Sequence, residues 1–580
     1  MIDANLKQRV ETWISGDVDE HSRGELQAVL NSGDSAELTD RMAGPLEFGT
    51  AGLRGIIGAG PNRMNRAVII RTTAGLAEYL LKVGSRVAER GVVVGYDGRR
   101  MGREFAEDTA AVLCAFGIRV WLFPDYASTP QTAFATTELR AAAGVMVTAS
   151  HNPPEYNGYK VYWENGAQIV PPHDVEIART IDSVGMAKEV NRLSLSEARS
   201  RGLLKDISAE LTEKYLSLMA AHSVRSEGRE GFEIVYTPLH GVGYLTARDA
   251  FARYGFHDVH CVPEQERPDG EFPTVRFPNP EEEGAMDLSL ALAEKIGANL
   301  ILANDPDADR LAAAVPEPGG SYRLLSGNQI GILLANYLLT ESPNPPRDRL
   351  VITSIVSSPM LGVMAEKLGV RYEEVLTGFK WIANQAMDLE KKTGTTFVFG
   401  YEEALGYTVG TLVRDKDGVG AAVLFAEMAA VYHSRGSSVL KELEGVYRSF
   451  GLYLSRQKSV TMKGLDGSAK IASIMNALRA DPPASIGEFT VEAIRDYQKQ
   501  TRRSKDGGVT TLALPPSNVL SFEITGGSRV IARPSGTEPK IKFYFDLREQ
   551  VIAGESMAAA EARAQKRLDE LQKAFIQLVS

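Results

Sequence analysis

The chain has 580 residues, 44% of them hydrophobic and 24% charged, with a formal net charge of −10. That length exceeds what one hydrophobic core serves and suggests roughly three to five domains. The balance of 64 basic against 74 acidic side chains argues against a nucleic-acid groove, and two cysteines among apolar neighbours, Cys114 and Cys261, read as buried thiols rather than a disulfide or metal site.

From the amino end, residues 1–31 are rich in charge and lack a basic start followed by an apolar run, so no signal peptide is expected. The longest apolar stretches, such as 330–339, fall short of the roughly 18 residues that span a bilayer. The expectation is a cytoplasmic enzyme with no membrane partner. Short apolar runs ending in Gly, Asp or Ser clusters then alternate with amphipathic stretches, the pattern of βα units. Val92-Val93-Val94-Gly95-Tyr96 runs into Asp97-Gly98-Arg99-Arg100, and Ile234-Val235-Tyr236 into Thr237-Pro238-Leu239-His240-Gly241. Val351-Ile352-Thr353-Ser354-Ile355 runs into Val356-Ser357-Ser358-Pro359. Three such openings predict an α/β protein with three related α/β domains, at 1–215, 216–325 and 326–450. Past Gly451 the composition changes. A helix over 471–478, strand-like pieces and an Ala/Glu-rich terminal helix from about Gly554 predict a smaller C-terminal α+β domain, 451–580.

Chemistry concentrates in two stretches. Val145-Met146-Val147 reads as the end of a buried strand, and Pro153-Pro154 prevents a helix from starting directly behind it. Between them, Thr148-Ala149-Ser150-His151-Asn152 forms a constrained loop whose backbone N–H groups can face an anion. Ser150 is either a nucleophilic hydroxyl or, with Asn152, the polar group of an ordinary turn. A Ser-His-Asp triad is disfavoured: Ser150 and His151 are adjacent, and the Gly-x-Ser-x-Gly elbow is missing here. The second stretch, Asp305-Pro306-Asp307-Ala308-Asp309-Arg310, follows a buried strand at 299–303, where α/β folds place their ligands. Fully extended, its outer carboxylates would stand about 13 Å apart, at about 3.3 Å per residue. One Mg²⁺ takes oxygens at about 2.1 Å, so the segment must curl, and Pro306 helps it leave the strand. All-oxygen ligands favour Mg²⁺ over Zn²⁺. A nucleophilic hydroxyl and a hard cation are the minimal equipment for moving a phosphoryl group.

The runs at 148–153 and 305–310, followed by Arg533-Pro534-Ser535-Gly536-Thr537-Glu538-Pro539, occur in that order across nearly the whole chain. Together they resemble the motifs of the α-D-phosphohexomutase family, which includes phosphoglucomutases and phosphomannomutases. The resemblance implies four domains around a central cleft and a phosphoryl group carried by Ser150. It also implies Mg²⁺ held by Asp305, Asp307 and Asp309 together with a phosphoserine oxygen. Phe48-Gly49-Thr50-Ala51-Gly52-Leu53-Arg54-Gly55 resembles the family's arginine loop, and Asn157-Gly158-Tyr159-Lys160 its catalytic lysine segment. Arg54 and Lys160 thus become candidates for charge stabilisation and proton transfer. Lys160 is the better acid–base candidate, since an arginine stays protonated; His151 competes with it or orients the loop.

Arg310 counts among the substrate-binding residues. In the C-terminal loop, Arg533, the hydroxyls of Ser535 and Thr537 and the backbone at Gly536 suit a phosphate dianion. Gly400-Tyr401-Glu402-Glu403-Ala404 stands in the place of the sugar-binding loop, with Glu402 and Glu403 as acceptors and Ala404 where a serine is common. Thr377-Gly378-Phe379-Lys380-Trp381 and Arg414-Asp415-Lys416-Asp417-Gly418 resemble its flanking segments and add Thr377, Gly378, Lys380 and Lys416. These loops look closest to the branch with phosphopentomutase and glucose-1,6-bisphosphate synthase activities, alongside many bacterial phosphoglucomutases.

The resulting expectation is a Mg²⁺-dependent mutase acting on a small phosphosugar, interconverting glucose 1-phosphate and glucose 6-phosphate. A phosphoserine and a sugar 1,6-bisphosphate are its intermediates, the latter also its activator. Phosphopentomutase and glucose-1,6-bisphosphate synthase are the alternatives. A phosphatase would not need the second phosphate loop, and a dead binding protein would not keep the serine and all three aspartates. No oligomeric state is legible.

Overall fold

A computed structural model of the chain describes residues 2–47, 52–462, 467–535 and 540–579. Two compact units emerge: Met1–Leu325 with Gly378–Met387 and Leu405–Ser434, and Ser326–Thr377 with Asp388–Ala404 and Arg435–Ser580.

The first unit opens with three helices, Ala4–Gly16, Glu20–Ser32 and Ser35–Arg41, that the sequence reading does not contain. Each begins at an aspartate N-cap: Asp3, Asp19 and Asp34 accept from the amides of Leu6, Ser22 and Glu37. Leu6, Val10, Leu26, Leu30 and Leu38 close a small core of their own. A six-stranded sheet follows. Val92–Tyr96 pairs in parallel with Val120–Leu122 and Ala143–Val147, while Tyr156–Trp163 runs antiparallel to Ala143–Val147 and to the edge strand Leu53–Ile56. The central strands are buried on both faces, which suits their Val-rich composition. Their carboxyl ends lie side by side, and the Asp97 amide donates to the Val147 carbonyl at 3.2 Å.

In the next sheet Leu300–Ala303 lies between Ile234–Thr237, parallel, and Ala312–Pro316, antiparallel. The turns leaving the two parallel strands pack on each other: Val242 N–H donates to the Pro306 carbonyl at 2.8 Å, and a Cβ at Gly241 would overlap Pro306. Helix Gly418–Ser434 is mostly apolar and buried from Ala421 to Tyr432, packing against helix Tyr244–Tyr254 and strand Leu300–Ala303. That burial draws 405–434 into the first unit.

The second unit holds a parallel arrangement in which Arg349–Ser354 pairs with Arg371–Val375 and Thr396–Glu402. It also holds a C-terminal antiparallel sheet running from Leu452–Thr461 and Lys540–Glu549 through Ser528–Pro534, Leu520–Ile524 and Phe489–Asp496. The terminal helix Met557–Val579 buries Ala560, Ala564, Leu568, Leu571 and Phe575, a stripe of helical period. The Phe575 ring packs on Phe522, Phe543 and Phe545. The architecture is α/β throughout, with an antiparallel α+β portion at the carboxyl end. Among the described residues no helix is long and apolar enough to cross a membrane.

Candidate active site

Ser150 stands three residues past strand Ala143–Val147, in the left-handed region at φ 56°. An L-residue rarely adopts that conformation without support. Here the support comes through the main chain. Arg99, fully buried, donates to the carbonyls of Ser150 and Asn152, both at 2.6 Å, and to those of Pro153 at 2.9 Å and Tyr156 at 3.1 Å. Thr148 Oγ1 accepts the Ser150 amide at 2.8 Å and donates to Asp97 Oδ2 at 2.5 Å. Asp97 lies 3.4 Å from Arg99, and burial pushes its carboxyl up to about 6.

The Ser150 side chain is thereby left to the site: Oγ donates to Asp305 Oδ2 at 2.8 Å and lies 3.2 Å from His151 Nδ1. The left-handed turn brings these adjacent side chains together. Burial, then Arg310 and Arg54, hold His151 well below the usual imidazole range, so it is neutral.

The aspartate run curls. Ala308 takes φ 56°, and one oxygen from each of Asp305, Asp307 and Asp309 lies within 4.8 Å of the others, all buried. Lys160 Nζ donates to Asp307 Oδ2 at 2.7 Å and Asp309 Oδ2 at 3.1 Å. Thr129 Oγ1 donates to Asp307 Oδ2 at 2.6 Å, and Lys416 Nζ pairs with Asp309 Oδ2 at 2.9 Å. The remaining oxygens, Asp307 Oδ1 and Asp309 Oδ1, are buried without a hydrogen-bond partner. Two orphaned carboxylate oxygens beside a third carboxylate form a donor set that fits a hard divalent cation.

The charges sort accordingly. Burial and then the charges of Asp307 and Asp309 push Asp305 well above the carboxylate range. Burial also pushes Asp307 and Asp309 up, but Lys160, joined at Asp309 by Lys416 and Arg310, holds both below it. Burial pulls Lys160 down, yet Asp307 and Asp309 raise it above an ordinary lysine.

Arg54, on strand Leu53–Ile56, donates to Asn152 Oδ1 at 2.9 Å. Burial, then Arg310 and Arg99, pull it down to about 10. Arg310 donates its amide to Asp305 Oδ1 at 3.0 Å and has Nε 3.8 Å from Asp305 and 3.9 Å from Asp309. Lys380 lies apart, 3.6 Å from Asp174; Gly378 opens its segment at φ 117°. The first unit thus gathers Ser150, His151, Arg54, Lys160, Lys416, Arg310 and the three aspartates.

The second unit forms its own cluster. Glu403 accepts from Ser354 Oγ at 3.3 Å and Ser357 Oγ at 3.1 Å. The Tyr544 hydroxyl hydrogen-bonds Arg533, and burial followed by Glu403 raises its pKa, with Glu402 adding to the effect. Ser535 ends the described part of the phosphate loop, its amide donating to the Lys540 carbonyl at 2.7 Å. Gly536 and Thr537 lie outside the described residues, as do 48–51 of the arginine loop. Thr377 Oγ1 is buried without a partner.

Sequence reasoning missed Arg99, Thr129 and the group behind Lys416, where Asp415 accepts from Tyr162 at 2.9 Å and Gln168 at 2.7 Å. Only the position of Arg99 just past a strand end hinted at a role.

Family models for phosphoglucomutase/phosphomannomutase α/β/α domains I, II and III match residues 45–188, 213–320 and 326–447. Phosphopentomutase of Pongo abelii is 38% identical over 566 residues, covering 94% of this chain and 92% of its own. Human glucose 1,6-bisphosphate synthase is 36% identical over 598 residues, covering 99% and 95%. The solved open form of the exocytosis-sensitive phosphoprotein pp63/parafusin, a phosphoglucomutase from Paramecium, superposes with a TM-score of 0.66 at 19% identity, over 91% of this chain and 95% of that one; this is a likeness of fold. Fold and relatives together define a phosphotransferring isomerase. The chain belongs to the α-D-phosphohexomutase family.

Proposed function

We propose that this is a cytoplasmic, Mg²⁺-dependent phosphosugar mutase working through a phosphoserine at Ser150, with glucose 1-phosphate and glucose 6-phosphate as its pair. The observation that carries the reading is the 2.8 Å hydrogen bond from Ser150 Oγ to Asp305, inside a set of three buried carboxylates. Asp305, Asp307 and Asp309 would hold Mg²⁺, which supplies positive charge against the oxygens of the transferring group. Arg54 and Arg310 face the same charge as fixed donors. In the first half, the bond from phosphorus to Ser150 Oγ breaks while one to the sugar hydroxyl forms, giving a sugar 1,6-bisphosphate. The proton given up by the sugar hydroxyl balances the one taken up by the Ser150 oxygen left behind, whose side-chain partners are Asp305 Oδ2 at 2.8 Å and His151 Nδ1 at 3.2 Å. In the second half the other phosphate of the bisphosphate returns to Ser150. Arg533, Ser535, Gly536 and Thr537 would grip the distal phosphate while Glu402 and Glu403 accept from sugar hydroxyls; Thr377, Gly378, Lys380 and Lys416 complete the substrate contacts.

A pentose is the second reading, favoured by Ala404, which removes a hydroxyl from the sugar loop, and by the phosphopentomutase of Pongo abelii. Phosphorus NMR tests both readings, using purified chain, Mg²⁺, a trace of glucose 1,6-bisphosphate and equal glucose 1-phosphate and ribose 1-phosphate. Migration of the hexose signal without inorganic phosphate supports the proposal. Faster migration of the pentose signal replaces the sugar, and accumulation of inorganic phosphate rejects the mutase.

A further inference from the structure

The three N-terminal helices precede the match to domain I, which starts at 45. They do not close down on it. Between helix Ala4–Gly16, the stretch 42–45 and the body of the first unit lies a cavity of about 660 Å³. Protein interiors are otherwise packed to near-crystal density, and this volume is that of a small-molecule pocket. Its wall is largely apolar, with Trp13, Met42, Pro45, Pro61, Val184 and Met186.

Two arginines, Arg9 and Arg71, stand in that wall. Arg71 donates only to the carbonyls of Gly185 at 2.9 Å and Val184 at 3.0 Å, and Arg9, exposed at the rim, to the carbonyl of Met42. Among the described residues neither guanidinium has a carboxylate as a hydrogen-bond partner, and Asp182, exposed, acts on Arg71 through its charge alone. Among the described residues Asp17 is the wall's only carboxylate. It is already engaged, accepting from Ser22 Oγ at 2.7 Å and the Asp19 amide at 2.9 Å. Two cations whose hydrogen bonds go to carbonyls call for an anionic acceptor. The apolar wall calls for an apolar body attached to it.

We propose that this cavity is an effector site for a small organic anion with an apolar body, of the aryl-carboxylate class. Its wall runs into the catalytic strand. Leu46, next to Pro45, donates its amide to the Pro61 carbonyl at 3.3 Å. The same side chain sits under Gly55, where a Cβ would come within 2.9 Å of it. Arg54 is the next residue. An occupant bearing on Pro45 and Pro61 therefore acts on the strand that places Arg54.

The test is calorimetry on the full chain with indole-3-acetate and its neutral analogue indole-3-acetamide, with and without saturating glucose 1-phosphate. Expected are one saturable site for the carboxylate, binding weaker by about tenfold or more for the amide, and a similar loss in Arg71→Met and in Arg9→Gln. The occupied pocket should also change KM or kcat of the phosphoryl transfer. Absence of saturable binding, equal affinity for the amide, or indifference to both substitutions overturns the proposal. Displacement by glucose 1-phosphate overturns it as well, since the anion would then sit in the catalytic site. Binding that leaves both KM and kcat untouched removes the effector role. If Arg71→Met loses its fold by circular dichroism, Arg9→Gln, on an exposed helix face, decides alone.

Discussion

The serine loop and the aspartate loop differ in how their side chains are held. Around Ser150 every strong anchor goes to the main chain, with four carbonyls on one arginine and the amide on Thr148. The side chain stays free to change its bonding partner. Around Asp305–Asp309 the amides of Val242, Thr129 and Gly418 hold main-chain carbonyls, and Lys160, Thr129 and Lys416 also hold the side chains of Asp307 and Asp309 at Oδ2. The two free Oδ1 atoms are thereby presented at a fixed spacing. A covalent carrier needs a side chain that can move through bond making, whereas a metal site needs ligands that cannot.

Four substitutions probe that contrast. Ser150→Ala removes the carrier hydroxyl and leaves the loop's anchors in place. Turnover is expected to fall by about a thousandfold or more with the melting temperature unchanged, and an active variant would end the phosphoserine reading. Arg99→Lys keeps a charge but loses the planar fork that reaches four carbonyls. We expect kcat to drop by about a hundredfold while KM and Mg²⁺ affinity hold, because only the nucleophile is misplaced. If KM and metal affinity fall in step, Arg99 is supporting the whole fold instead.

Asp307→Asn alters the other loop. Mg²⁺ affinity, read by calorimetry, should weaken by about tenfold or more, while phosphate still binds to the arginines; unchanged affinity would remove Asp307 from the metal set. The smallest effect on turnover is expected from Asp417→Asn. Burial pushes Asp417 up to about 6, against about 3.9 for an unfolded carboxyl. Between those values the folded chain binds the extra proton, so this residue's contribution to stability is full below the lower value and is lost as pH rises through the upper one. Relative to wild type, Asp417→Asn should gain about 1–2 kcal/mol on going from pH 4 to pH 7, measured by denaturant unfolding. A flat difference would show that Tyr215 and the Gly420 amide, both 2.8 Å from Oδ1, stabilise the carboxylate fully.

Legibility followed distance along the chain. The strands at 92–96, 143–147, 234–237 and 300–303 come from contiguous apolar runs, and both candidate loops come from their strand-end positions. The need for the aspartate run to curl follows from bond lengths alone. Arg99 was not legible, because its partners lie 51–57 residues further on and are backbone atoms, which carry no residue signature. Lys160 was legible as a site residue but its partners were not, since the two carboxylates it meets lie 147 and 149 residues away. The three N-terminal helices escaped because their apolar stripes are short and interleaved with charge.

Peptide mapping by mass spectrometry, after brief exposure of the chain to glucose 1,6-bisphosphate and Mg²⁺, asks whether Ser150 carries the phosphoryl group. The account predicts a single phosphate on the peptide containing Ser150, passed on to added glucose 1-phosphate without release of inorganic phosphate. Turnover of the sugar phosphate with Ser150 unmodified throughout would contradict it.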